Sequence, residues 1–156
     1  MNNKLISLII PMYNEEKHIS NCINSLLQQS SQNFHAIFID DGSTDHTVIK
    51  LKHLLMQKNI LFSYDILFQD NSGAAKAREY GISHAPTKYV MIFDCDDIAS
   101  IDYIAATEAS LIHEPDISLP KMQFQIRDNS FTDFVFFDER NQYSGSQSFN
   151  RTFIQQ

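Results

Sequence analysis

Four short apolar runs punctuate the first hundred residues, and each ends on a cluster of polar or acidic side chains. Leu5 to Ile10 leads into "PMYNEE", His35 to Ile39 into "DDGSTD", Leu61 to Phe68 into "QDNSG", and Tyr89 to Phe93 into "DCDD". Short runs rich in β-branched and aromatic residues read as buried strands. Between them the apolar spacing turns helical. Ile19, Cys22, Ile23, Leu26 and Leu27 form one stripe within 15–29, and Val48, Leu51 and Leu55 form another within 45–58. Ala74, Ala77 and Gly81 give the segment 73–83 a face of small residues that can pack close to a sheet. The order β-α-β-α-β-α-β predicts an α/β chain: a Rossmann-like, mostly parallel sheet flanked by helices on both faces. A further helix is expected around 101–112.

The character changes after Pro115. "ISLPKMQFQIRDNSFTDFVFF" alternates and carries the turn-like "RDNS", which predicts two short antiparallel strands. The last stretch, "NQYSGSQSFNRTFIQQ", is polar and weakly patterned. Residues 1–115 therefore read as the core, and 116–156 as a small antiparallel C-terminal addition to the same domain. At 156 residues the chain suffices for one domain with one sizeable core.

Charge and residue usage remove several function classes. A net charge of −7 argues against sequence-independent nucleic-acid binding, which needs a basic face. It leaves room for a nucleotide, because a bound metal reverses the local sign. Two cysteines make neither a disulfide framework nor a zinc motif, and Cys22 reads as a buried structural thiol. The six histidines show no H-x-x-x-H pair. The apolar run before Pro11 is too short for a membrane span and lacks a cleavage site, so a cytoplasmic chain is expected.

In an open parallel sheet, ligands bind beyond the carboxyl ends of the strands. Here all four ends are polar. Asp94, Asp96 and Asp97 crowd three carboxylates into four positions, and such a group calls for a cation. Hard oxygen ligands without histidine or thiolate suit Mg²⁺ or Mn²⁺. Asp94 and Asp96 point to one side of an extended chain, and Asp97 joins them if the chain turns. Mg²⁺ uses one or two protein carboxylates and completes its shell with water and phosphate, so a diphosphate is a natural second ligand. Lys76, Arg78 and the helix start near Ser72 and Gly73 favour that anion. Asp40 or Asp41 can accept the N–H of a pyrimidine or ribose hydroxyls, and Tyr13 can offer a face to a base. Plainer readings stand beside these. Ser43 and Asp45 suit helix caps, and Glu15 and Glu16 suit a helix first turn. Arg78 suits a surface ion pair, and Cys95 is a small residue in an acidic turn.

Taken together, "SLIIPMYNEEKHISNCINSLLQQ", "FIDDGSTDHT", "DNSGAAKAREYGI" and "YVMIFDCDDI" resemble the family 2 glycosyltransferases of the GT-A fold, over about Ile6 to Ile98. All four occur in order and at suitable spacing. The resemblance implies a nucleotide-diphosphate-sugar donor, usually UDP-linked, a divalent metal (Mn²⁺ or Mg²⁺), and inverting transfer to a glycan or lipid-linked acceptor. It assigns Pro11, Tyr13, Asn14 and Glu15 to the first donor-binding segment, and Asp41 to the base. Lys76 falls near the diphosphate, and Asp94, Asp96 and Asp97 cover the Asp-x-Asp signature. Ribose contact goes to this group, with Asp96 the first choice for the metal and Asp97 beside it. Glu79 stands where the family often has asparagine. The catalytic base is expected beyond Gln156, so the sequence looks like a donor-binding half, with contact at the inner face of a membrane compatible with such acceptors. A truncated or non-catalytic nucleotide-sugar-binding domain is the nearest alternative. A receiver-like signalling domain would put its acidic pair after the first strand, where "PMYNEE" stands instead. A nucleotidyltransferase would carry a glycine-rich loop there, and none is present.

Overall fold

The first run forms β1 (Ile6–Met12), in which only Pro11 is more than marginally exposed. A strand apolar on both faces must lie inside a sheet covered on both sides. β2 (Phe34–Asp40), buried along its whole length, pairs with it in parallel. β4 (Tyr89–Ile92) pairs with the other edge of β1, and β3 (Ser63–Phe68) with the outer edge of β2, both parallel. The computed structural model describes residues 5–111 throughout, together with the short strands β5 (Ile117–Ser118), β6 (Met122–Gln125), β7 (Phe131–Phe134) and β8 (Ser148–Asn150). The main sheet runs β3-β2-β1-β4-β8-β5, with β8 antiparallel to β4 and β5 antiparallel to β8. β6 and β7 form the expected antiparallel pair. β8, which extends the main sheet, arises from the segment that shows no clear strand pattern.

Strand alternation sorts the core into two layers. Ile6, Leu8 and Ile10 of β1, Phe34, Ala36 and Phe38 of β2, and Tyr89 and Met91 of β4 face α1 (Ile19–Leu27), α2 (Thr47–Gln57) and α4 (Tyr103–Ser110). Ile9, Ile37, Ile39 and Val90 face α3 (Ala74–His84). A Cβ placed on Gly81 would stand 2.6 Å from Ile39 Cδ1 and 2.7 Å from Ile9 Cγ2, so glycine lets α3 lie hard against the sheet. Ala77 and Gly81 are buried there as their spacing predicts. Ala74 is exposed, because the first turn of α3 overhangs the end of the sheet.

Element ends also differ from the periodicity. α1 begins at Ile19 rather than near Glu15, since Glu15 to His18 form a turn whose Glu15 carbonyl accepts both the His18 and Ile19 amides. β3 begins at Ser63 rather than Leu61; Phe62 leaves the strand line and stacks on Phe34 at 4.6 Å. The register sets Met12 opposite Asp40 and Asp40 opposite Phe68, while the Phe93 amide bonds the Ile9 carbonyl. The four polar clusters of the sequence thereby converge on one edge of the sheet.

Candidate functional site: an acidic cavity at the carboxyl edge of the sheet

A cavity of about 330 Å³ opens at that edge. The end of β1 supplies Pro11, Met12, Tyr13 and Glu15, and the end of β2 supplies Asp41. The β3–α3 connection and the start of α3 supply Asn71, Gly73, Ala74, Ala77 and Arg78, and the turn after β4 supplies Asp94, Cys95 and Asp96. Of the sequence candidates, Pro11, Tyr13, Glu15, Asp41, Asp94 and Asp96 therefore share one cavity. Tyr13 is half-exposed, its ring open to solvent at the rim.

Asp41 is 3 % exposed, and both its oxygens are engaged. Oδ1 accepts from Gln69 Nε2 at 2.7 Å and from the Ser72 amide at 2.8 Å, and Oδ2 accepts from the Gly73 amide at 2.9 Å. Burial pushes its pKa up, but the Gln69, Ser72 and Gly73 bonds outweigh it and hold the carboxyl below its ordinary value. Asp41 thus straps the β3–α3 loop onto the end of β2. Gly42 is part of the same junction, with φ of 74° and a virtual Cβ 3.0 Å from the Asn71 amide nitrogen. Each oxygen of a carboxylate has two lone pairs, so Oδ2 retains acceptor capacity toward the cavity.

Asn14, assigned above to donor binding, does not line the cavity. It adopts φ of 57°, a left-handed conformation that asparagine tolerates better than most residues. Its Oδ1 accepts from the Thr44 and Asp45 amides at 2.8 and 3.3 Å, and its own amide donates to Ser43 Oγ at 3.0 Å. Asp45 returns the tie by accepting the Glu16 amide and the Thr47 amide. For Asp45 burial is again outweighed by these bonds, with the Thr47 hydroxyl first, and its pKa is lowered. Asn14, Ser43 and Asp45 therefore lace the loops after β1 and β2 together.

At the opposite wall, Arg78 Nη2 donates to Asp94 Oδ1 at 2.7 Å, both side chains about a quarter exposed. The ion pair read as one option for Arg78 is present, and it lies inside the cavity. Lys76 is exposed on α3 and is not part of the lining. Asp96 is exposed, and its side chain makes no hydrogen bond or ion pair among the described residues. Asp97 is half-buried outside the lining; burial, then the charges of Asp96 and Asp94, push its pKa up to about 6. Cys95 is buried against Cys22; that contact, burial and the nearby Glu15 and Asp96 charges push its thiol well above the ordinary range.

Among the described residues, no group of three or more His, Cys, Asp or Glu side chains is gathered to hold a metal ion. The donor set fits a cation of the Mg²⁺ or Mn²⁺ type nonetheless. Four carboxylates, Glu15, Asp41, Asp94 and Asp96, line the cavity, Asp96 has free oxygens, and such ions complete their shells with phosphate and water. Asn71, Met12, Ala74 and Ala77 also line the cavity. Their alternation or small size marks core or loop in a sequence, and only the packing of α3 over the sheet edge turns them inward.

A family profile described as glycosyl transferase family 2 matches residues 7–151. The chain belongs to glycosyl transferase family 2. This family 2 chain is 35% identical over 136 residues to the glycosyltransferase GlyG of Streptococcus pneumoniae serotype 4, covering 86% of its own length and 44% of that protein. It superposes on S. aureus TarS (residues 1–349) in complex with UDP at a TM-score of 0.65 and 27% identity, over 72% of this chain and 34% of that one. The TarS complex with UDP-GlcNAc gives 0.60 at the same identity, over 72% and 33%. The α/β sheet is thus that of the GT-A glycosyltransferases. The family 2 chain spans less than half the length of each of these relatives. None of the described helices is long and apolar enough to cross a membrane.

Proposed function

We propose that the chain binds a nucleotide-diphosphate sugar, with UDP as the nucleotide, and serves its transfer to a glycan or lipid-linked acceptor with inversion at the sugar C1. The observation that carries this reading is the meeting of four strand ends in one cavity walled by Asp41 on one side and by Asp94 and Asp96 on the other. UDP and UDP-GlcNAc occupy the related TarS structures, which supports a uridine donor here.

Each residue then has a role. The base stacks at the Tyr13 rim and offers its N–H to Asp41. The ribose hydroxyls reach Asp94, whose other partner, Arg78, fixes its rotamer. The diphosphate lies against the start of α3, where the backbone amides favour an anion, with Lys76 adding positive charge from the helix surface. Asp96, with Asp97 behind it, would hold Mn²⁺ or Mg²⁺, which when bound would supply positive charge to the leaving diphosphate. A carboxylate base on the acceptor side takes the acceptor proton as that oxygen attacks the sugar C1 opposite the diphosphate. In this reading 1–115 is the donor core and 116–156 the beginning of the acceptor side, working at the cytoplasmic face of a membrane.

Isothermal titration with UDP, with and without Mn²⁺, tests it. The chain should bind UDP more tightly with Mn²⁺, and Asp96→Ala should lose that gain. Absence of UDP binding by the wild type, or an unchanged Mn²⁺ effect in Asp96→Ala, sinks the reading.

A further inference from the structure

Repulsion among Asp94, Asp96 and Asp97 works to open the turn after β4, and Arg78 meets only Asp94. The segment that follows is held from behind by uncharged groups. Cys22, Ser25 and Gln29, spaced by three and four residues, run in one stripe along α1 and just past its end. Cys22 lies buried beside Cys95 in the same core cluster. Ser25 Oγ accepts the Ala99 amide at 3.1 Å. Gln29, 4 % exposed, donates from Nε2 to the Ser100 carbonyl at 2.7 Å and to the Ser25 carbonyl at 3.0 Å. Its Oε1 accepts the Ile104 amide at 3.0 Å. The Ser30 amide adds a bond to the Ile101 carbonyl at 2.8 Å. One buried amide side chain thus pins both ends of 100–104, across more than seventy residues of sequence.

Neither shape nor helix packing demands an amide at this position. A methionine of similar length would fill the space, and a glutamate would set charge against two carbonyls. What the amide uniquely supplies is a donor pair and an acceptor aimed at the backbone that carries the acidic turn. We propose that Gln29 is a positioning residue for the metal–nucleoside-diphosphate ligand: with Ser25 it holds 99–104 so that Asp94 and Asp96 keep facing the cavity against their mutual repulsion. This rests on the donor-binding reading above. Groups that orient metal-binding side chains typically change metal affinity by about 10–100-fold when removed. The base side of the cavity, strapped by Asp41, is independent of this clamp.

The test compares wild type, Gln29→Met and Ser25→Ala by titration with UDP alone and with UDP plus Mn²⁺, each variant checked for a cooperative melt. The expected result is roughly tenfold weaker UDP binding in the presence of Mn²⁺, with a clearly smaller loss for UDP alone, where only the Asp94–ribose contact is disturbed. Equal losses with and without Mn²⁺, or no loss in either variant, overturn the positioning role. If Gln29→Met does not fold, Ser25→Ala, which removes a single bond to the same loop, decides the matter. A wild type that binds no UDP under either condition overturns the donor reading itself, a failure separate from that of the clamp.

Discussion

At the scale of residues, the site is organised by side chains that bind their own backbone. Asp41 is the clearest case, with three donors from the β3–α3 connection on one buried carboxylate. Asp41→Ala leaves those donors without their acceptor, and a cost of about 1–3 kcal/mol in urea-unfolding free energy is expected. The same group makes stability pH-dependent. Its folded pKa lies below the ordinary 3.8, so its contribution is fully present above that value and fades as pH falls through the folded pKa. Urea melts followed from neutral pH to well below 3.8 should show the wild type losing its advantage over Asp41→Asn as acid is added; a constant gap would refute the assignment. Asp41 reads from sequence as a ligand contact, and the structure puts it in the cavity wall. Its strapping role was not legible, because Gln69 and Ser72 lie about thirty residues away and nothing in either pattern points to the other. Asn14 belongs to the same class, since its positive φ and its bonds to Thr44 and Asp45 exist only once two strand ends stand side by side.

At the scale of elements, α3 decides the shape of the cavity. Its inner face is Ala77 and Gly81, so its axis comes close to β1 and β2 and carries Arg78 over the sheet edge to Asp94. Gly81→Val would force new carbons into Ile9 and Ile39, and overpacking of this kind costs about 1–3 kcal/mol. A melting point lowered by roughly 2–4 °C per kcal/mol is the expected readout, together with weaker UDP binding as α3 lifts. A melt and an affinity both equal to wild type would mean that the helix does not depend on this close approach. The small-residue pattern foretold that contact. It could not foretell that Ala74 overhangs into the cavity, because a 3.6-residue period describes a helix without saying where the sheet beneath it stops. β3 shows the converse. As an edge strand it exposes Ser63, Tyr64 and Asp65, and its sequence is correspondingly less apolar than β1 or β2.

At the scale of the whole molecule, ligand binding should stabilise the fold, because the cavity draws on all four strand ends. Saturating UDP with Mn²⁺ should raise the melting point, by an amount equivalent to about 2.7 kcal/mol at a hundredfold excess over Kd, and EDTA should reverse the metal-dependent part. A donor-hydrolysis or transfer assay on the same sample then separates binding from turnover. A melt indifferent to both ligands would leave the family 2 fold without a donor role in this chain. The order of apolar runs and helical stripes determined the parallel sheet, since burial on two faces and a crossover between parallel strands admit few other arrangements. The acidic and polar strand ends pointed to the edge where the cavity opens, because every parallel strand presents its carboxyl end to the same edge. Tertiary structure alone decided which of those polar groups face the cavity and which serve the scaffold. Lys76 points to solvent while Arg78, two residues on, pairs with Asp94; Gln29 and Ser25, ordinary polar residues on a helical stripe, grip a loop seventy residues later. Local periodicity sets the direction of a side chain relative to its own element. Its partner is set by how elements pack, and no spacing within one element contains that information.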